Sequence, residues 1–298
     1  MENNISLVHT NNQVHRDFYA IESARRAQVP CVSHLRSPHT EGFYSKKAKY
    51  VNQNVHAIFA YSHSIAECWE NAGLDTGTIK VVHNAIETVL VKPLDIRRKY
   101  KLLRGRKIIG IIGMIIPERN HVFLLHCFKV FLKRHSDVHL MIVGDSLRDE
   151  KQNLMYLAED LGISKHLTFT GYLVNAQELI ASLDAIVMPY TMEPFGRILL
   201  EAWQLKTPTV ISNVGHIEKI VTDRVNTLLF DVDSKDSLIQ ALEIVLYDQE
   251  IKTRLIENGF QHCNKNFSIH SYNEQIEVVY DQILNSANNS FYVTCSNY

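Results

Sequence analysis

Cysteine is scarce, with five residues in 298, and Cys31, Cys68, Cys127, Cys263 and Cys295 form no CxxC pair. That argues against a disulfide scaffold or a zinc ribbon, and for a reducing, cytoplasmic setting. Neither sign of charge prevails. Thirty-one Lys and Arg face 32 Asp and Glu, which leaves no footprint for nucleic acid and no acidic tail. The longest apolar run, 108–117, is too short to span a membrane. The first residues, MENNISLVHT, lack the basic and apolar regions of a signal peptide. Internal repeats and low-complexity blocks are absent as well. A chain 46% hydrophobic and 21% charged forms one large or two medium globular domains, as expected of an enzyme or a ligand-binding protein.

The hydrophobic period alternates between short β-branched runs and longer helical patterns. Strands are expected at 7–10, 31–35, 57–61, 79–83, 107–113, 139–143, 167–170, 185–189, 209–212 and 227–230. Each is short and largely apolar, as strands buried on both faces are. Between them, 119–134 carries Leu124, Leu125, Phe128 and Phe131 on one stripe, and 235–247 carries Leu238, Ala241, Leu242, Val245 and Leu246. Asn175 and Glu178 have capping-box spacing. Such alternation predicts βαβ units and parallel sheets. The charged stretch around 91–106, with Pro93, reads as a linker with a short helix. The expected division is 1–90, a linker at 91–106, a complete domain at 107–268, a helix at 269–285 and a loose tail at 286–298.

The segment from Glu193 to Glu201, EPFGRILLE, follows a strand and reads as a helix from about Phe195. Ligands bind at such junctions in open α/β sheets. Amides of Phe195, Gly196 and Arg197 at the helix start form an anion site, and Gly196 admits a phosphate to the backbone. Eight residues of helix separate the two glutamates by roughly 12 Å. A glycosidase pair needs about 5–9.5 Å. The two therefore grip opposite ends of a long ligand, such as a sugar and a ribose joined by a diphosphate.

These residues resemble family 4 of the retaining glycosyltransferases, which have the GT-B fold. Glu193 to Glu201 is similar to the family's Glu-x7-Glu motif, and TPTVISNVGHIEKIV to the strand and turn after it. Gly113-Met-Ile-Ile-Pro-Glu-Arg119-Asn resembles the family's Gly-Arg-Leu-x-Pro-Glu-Lys-Gly. The segments 167–172 and 182–189 resemble the loop facing the nucleobase and the strand before the glutamates. The likeness is close over 107–285 and looser over 5–87.

The resemblance implies an α/β architecture of two Rossmann-like doubly wound parallel-sheet domains, the N-terminal one incomplete. Only about 90 residues precede the linker, where a domain of ordinary size has about 150. It implies a hexosyltransferase of carbohydrate biosynthesis, acting on a nucleoside diphosphate sugar and a saccharide or lipid-linked acceptor hydroxyl. In that reading Glu201 holds the ribose hydroxyls. Glu193, with the backbone of Phe195 and Gly196, holds the sugar and distal phosphate. Arg119 neutralises the leaving diphosphate at the family's lysine position. Gly113 and Gly171 admit the ligand to the backbone, Tyr172 lies near the base, and His34 lies by the donor sugar. Asn84 matches an asparagine at the family's interdomain crossover. A helix start plus Arg119 stabilises the leaving group without a metal or other cofactor. Met114, Asn120 and His216 depart from the family, standing where it has an arginine and two glycines.

Alternatives of other classes are a nucleotide-sugar-binding protein without activity and another GT-B enzyme, an epimerase or phosphorylase. A phosphorylase needs a pyridoxal-phosphate lysine, and Arg119 stands at the comparable place. Asp231-Val-Asp233 spells a metal-binding DxD, but beside Ser234 it reads as a helix cap. His135 and His139 read as surface residues, not zinc ligands. His34 is open between a sugar contact and a structural histidine, and Gly144-Asp145 between a ligand loop and a plain turn. The basic cluster of Arg97, Arg98, Lys99, Lys101, Arg104, Arg106 and Lys107 reads as a solvated linker, with contact to acidic lipid at the inner membrane face as the alternative. A homodimer or partner chain covering the incomplete domain is a further expectation.

Overall fold

Short β-branched runs with helical segments between them leave each strand no partner but another parallel one, and two parallel sheets result. The structure, a computed structural model, describes residues 5–12, 14, 16–38, 45–102, 105–192 and 196–295. Among the described residues all ten expected strands form, their ends shifted by no more than two residues. Two units divide the chain, one of Met1–Ala85 with Ile269–Tyr298, the other Ile86–Ser268.

The first unit contains β1 (Val8–Thr10), α1 (Phe18–Arg26), β2 (Cys31–Leu35), α2 (Ser45–Asn54), β3 (Ala57–Ala60), α3 (His63–Asn71) and β4 (Ile79–Val81). Its sheet runs β1-β2-β3-β4, wholly parallel. The two-residue period of a strand sorts side chains between its faces. Cys31, Leu35, Ile58 and Ala60 pack with Ile21, Val51 and Trp69 of α1, α2 and α3. Val32, Ala57 and Phe59 face the other way, toward the last helix of the chain.

The second unit begins with α4 (Ile96–Lys99) and β5 (Lys107–Ile112), followed by α5 (His121–Phe131), β6 (Val138–Val143), α6 (Glu150–Asp160) and β7 (Leu167–Gly171). Then come α7 (Ala176–Ile180), β8 (Ala185–Met188), α8 (Arg197–Gln204), β9 (Thr209–Asn213), β10 (Leu228–Asp231), α9 (Lys235–Tyr247) and α10 (Gln249–Asn266). The sheet order is β10-β9-β8-β5-β6-β7. The chain winds outward from β5 through β6 and β7, then returns to place β8 on the other side of β5. That reversal makes a doubly wound sheet with its switch point between β5 and β8. The core on one face joins Ile109, Ile111 and Val187 to Leu124 and Phe128 of α5 and Leu238, Leu242 and Val245 of α9. The final helix, α11 (Ile269–Cys295), lays Ile276, Val279 and Tyr280 on Val32 and Phe59 of the first unit. Among the described residues no helix is long and apolar enough to cross a membrane.

Several local expectations are corrected. The helix of 119–134 starts at His121, because Pro117–Arg119 forms a separate 3-10 turn and Asn120 is left-handed at φ 53°; asparagine tolerates that conformation. Asn175 makes no side-chain cap, and the five-residue α7 is held instead by burial of Leu179 and Ile180. The loose tail is a continuation of α11 to Cys295; no Gly or Pro follows Gly259 to stop it. His139 is buried, not on the surface. It lies in β6, enclosed between β5 and β7, where Nε2 meets Thr168 Oγ1 at 2.8 Å and Nδ1 meets Arg106 Nη1 at 3.4 Å. Burial holds its pKa down at about 4. His135 contacts Glu243 at 3.1 Å. Ser234 caps α9, its Oγ accepting from Ser237 N at 3.3 Å. In the basic cluster, Arg104 lies outside the described residues.

Candidate functional site

The switch point sets the carboxyl ends of β5 and β8 side by side, and the loops that follow them are tied together. Thr191 N donates to Glu118 O at 2.9 Å. Arg119 Nη1 donates to Ile112 O at 2.5 Å, and its guanidinium lies 5.2 Å from the centre of the Tyr190 ring. Tyr190 Oη reaches the same carbonyl at 3.4 Å. Gly113 has φ +121°, and a Cβ there would lie 1.5 Å from Arg119 Nη1. The missing side chain is thus what lets the arginine fold down over the strand end. Gly144 repeats the device at the end of β6, with φ +136° and room for a Cβ closed by Gly113 O at 2.0 Å. Two strand ends therefore come together with no Cβ between their backbones.

Beside them opens a cavity of about 330 Å³, lined in part by Gly113, Met114, Gly144, Asp145, Tyr172 and Ile198. Its size suits a small-molecule ligand. Its rim is apolar yet open: Tyr172 is 76% exposed and Leu147, also in the lining, 85%. An exposed ring at a cavity mouth offers a stacking face to a planar base. Asp145 Oδ1 sits 3.3 Å from Lys151 Nζ, and the Ser146 amide and Lys151 hold its carboxyl below the usual range. Among the described residues no group of three or more His, Cys, Asp and Glu is arranged to hold a metal ion.

Ile198 reaches this cavity from α8, which is anchored from behind. Leu199, Leu200 and Trp203 are buried, and Trp203 Nε1 donates to Asn226 O at 3.0 Å. Gly259 of α10 leaves the space Trp203 needs, since a Cβ there would lie 2.6 Å from Trp203 Cδ1. The helix starts at Arg197, two residues later than expected, because Gly196 is extended (φ −167°, ψ −177°) and acts as its N-cap. The open amides of the first turn are accordingly those from Arg197 onward. Glu201, one turn beyond Ile198, is 7% exposed. Burial raises its pKa, against the pull of Arg197, whose Nη2 lies 3.2 Å from Oε1, and of Gln177. A carboxylate so enclosed favours hydroxyl donors that satisfy its remaining lone pairs.

A glycine-bared strand end, an arginine folded over it and a buried glutamate on α8 thus lie in one unit of the chain, around the carboxyl ends of its sheet. The family model described as glycosyl transferases group 1 matches residues 94–262, more than half of the chain. The chain belongs to this family. The lipopolysaccharide core biosynthesis glycosyltransferase LpsE of Rhizobium meliloti is 28% identical over 245 residues, 82% of this chain and 68% of LpsE. The uncharacterized glycosyltransferase MJ1607 of Methanocaldococcus jannaschii is 27% identical over 64% of this chain, which spans 50% of that relative. Among solved structures, Anabaena Alr3699/HepE with UDP superposes with a TM-score of 0.83 at 20% identity, over 93% of this chain and 79% of HepE. The fold is GT-B, with Rossmann-like sheets.

Within this group 1 glycosyltransferase, the described residues expected at the donor site fall in one region of the second unit. Gly113, Arg119 and Tyr172 lie at the strand ends, with Gly171 (φ +68°) closing β7 beside Asp145 and Lys151. Gly196 and Arg197 lie at the start of α8, and Glu201 in its second turn. Glu193 and Phe195 lie outside the described residues. His34 belongs to the first unit. It is 3% exposed, stacked on His9 at 4.7 Å and tilted against Phe59 at 5.2 Å. Burial, then the charges of Arg36 and His9, push its pKa to about 3, so the ring is neutral. Sequence reasoning missed Tyr190, the platform under Arg119. Its position directly after β8 and its Pro189 was the available signal, since switch-point ligands meet that loop.

Proposed function

We propose that the chain is a retaining glycosyltransferase of family 4, moving a hexose from a nucleoside diphosphate sugar to an acceptor hydroxyl on a growing glycan or lipid-linked saccharide. The observation that carries the reading is the cavity at the ends of β5 and β6, lined by Gly113, Gly144 and Tyr172, with Arg119 folded over Gly113 and Glu201 one turn of α8 beyond the lining residue Ile198. The HepE structures, which hold UDP and UDP-glucose, support the donor class, and the name of LpsE supports a surface-glycan acceptor. Tyr172 stacks on the base and Glu201 accepts from the ribose hydroxyls. Arg119 and the first-turn amides of α8 hold the diphosphate, and Glu193 holds the sugar. These fixed dipoles and one cation stabilise charge as it develops on the leaving phosphate, without a metal ion. The C1–phosphate bond breaks while the acceptor oxygen bonds C1 on the same face. The acceptor proton passes to the departing phosphate oxygen. Tyr190 keeps Arg119 in place as a stacking platform. Work on lipid-linked acceptors suits a cytoplasmic protein at the inner membrane face.

The test is donor hydrolysis across UDP- and GDP-hexoses, followed by NMR from the first turnover. Retention yields the α anomer of the free sugar first from an α-linked donor. The β anomer appearing first excludes the retaining course, and hydrolysis of none of the donors excludes the donor class.

A further inference from the structure

The first unit also presents a polar cluster at the carboxyl ends of its strands. Asn11 directly follows β1, Arg36 directly follows β2, and Asn84 lies three residues beyond β4. Their side chains converge. Arg36 Nε and Nη2 donate to Asn11 Oδ1 at 3.0 and 2.6 Å, and Nη1 donates to Asn84 Oδ1 at 3.2 Å. Among the described residues no carboxylate pairs with this guanidinium, and its two acceptors are neutral. The full positive charge is retained at the strand ends, where ligands of open α/β sheets bind.

Donor arithmetic gives the cluster its polarity. A guanidinium offers five N–H groups and accepts nothing, so both amide oxygens must turn toward it. The NH2 groups of Asn11 and Asn84 then point away, and two guanidinium N–H groups are left over. Apart from one lone pair on Asn84 Oδ1, every hydrogen-bonding group the cluster has to spare is a donor. Such a set fits an oxyanion and disfavours a cation or a ligand that only donates. Asn11 also lines a neighbouring cavity of about 300 Å³, with His9, His34, Tyr272, Asn273 and Glu277. Aromatic edges, an amide and a carboxylate are the groups that recognise sugar hydroxyls.

We infer that Arg36, Asn11 and Asn84 form an anion subsite for an acidic saccharide, gripping its phosphate or carboxylate while the adjoining cavity takes the ring. That this saccharide is the acceptor rests on the donor reading above. The anion binding itself does not, since the subsite lies wholly within the first unit.

Glucose 6-phosphate, glucuronate and methyl glucoside serve as probes, titrated into the full chain under saturating UDP. Binding is read from the imidazole NMR signals of His9 and His34, and UDP affinity is measured separately. Both charged probes, or one of them, should bind at least about tenfold more tightly than methyl glucoside and shift those two histidines. The preferred oxyanion names the one the saccharide carries. Arg36→Gln and, independently, Asn84→Asp, which sets a carboxylate against Arg36, should each remove the preference while UDP affinity holds. Equal binding of charged and neutral probes, or a preference that survives both variants, overturns the inference. Failure of UDP to bind overturns the donor reading alone.

Discussion

Gly113→Ala isolates the contact between strand end and arginine. At φ +121° an alanine is strained by about 1–3 kcal/mol, so stability falls whether or not a ligand is present. The second effect is on binding. The new Cβ would lie 1.5 Å from Arg119 Nη1 and 2.3 Å from Cζ. The guanidinium is the free end of a long side chain, so it moves and the backbone stays. In moving it leaves the Ile112 carbonyl and the face of Tyr190. If Arg119 holds the diphosphate, UDP loses charged hydrogen bonds worth about 1.5–3 kcal/mol. At about 1.4 kcal/mol per factor of ten, affinity falls about 10- to 150-fold. Uridine carries no phosphate and should bind as before. Calorimetry with UDP and uridine reads both. In an Arg119→Ala background the same glycine change should cost stability but no further UDP affinity, because the group it displaces is gone. Full UDP affinity in Gly113→Ala, or losses that add in the double variant, would refute the coupling.

Glu201→Gln should weaken UDP by about 1.5–3 kcal/mol, whereas Glu193→Gln should spare UDP and weaken only the nucleotide sugar; equal losses of UDP affinity would remove this division of roles. Gly259→Ala should destabilise the second unit by about 1–3 kcal/mol through overpacking against Trp203, and an unchanged urea midpoint would show that α8 is not seated by that contact. The buried histidines set a pH dependence. Burial and nearby charge hold His121 and His139 to about 4, below the ordinary 6.5, so they are neutral in the fold, while the unfolded chain takes up their protons below about pH 6.5. Stability is therefore complete above 6.5 and declines as pH falls toward 4. His139→Gln should flatten that decline in urea titrations, and a slope identical to wild type would contradict it.

The parallel architecture was legible because short apolar runs such as Ile108–Ile112 and Leu140–Val143 carry their own period, and both strands formed where expected. Helix starts were less legible. The first residue of α8 depends on the extended backbone of Gly196, and that of α5 on the left-handed Asn120. Neither conformation follows from residue type alone. Arg119 could be singled out from its motif and Tyr190 from its place after β8, but their contact could not, since the pair is 71 residues apart and meets only because β5 and β8 are neighbours. His139 misled for the same reason. A polar residue at the start of a strand reads as exposed until the sheet order encloses that strand on both sides.

Calorimetry of the full chain with UDP, in buffer with and without EDTA, tests the central claim most directly. The arrangement of Arg119, Gly113 and α8 predicts one UDP per chain, with the same affinity in both buffers and a large loss in Arg119→Ala. Absence of binding, or binding that vanishes with chelator, would contradict it.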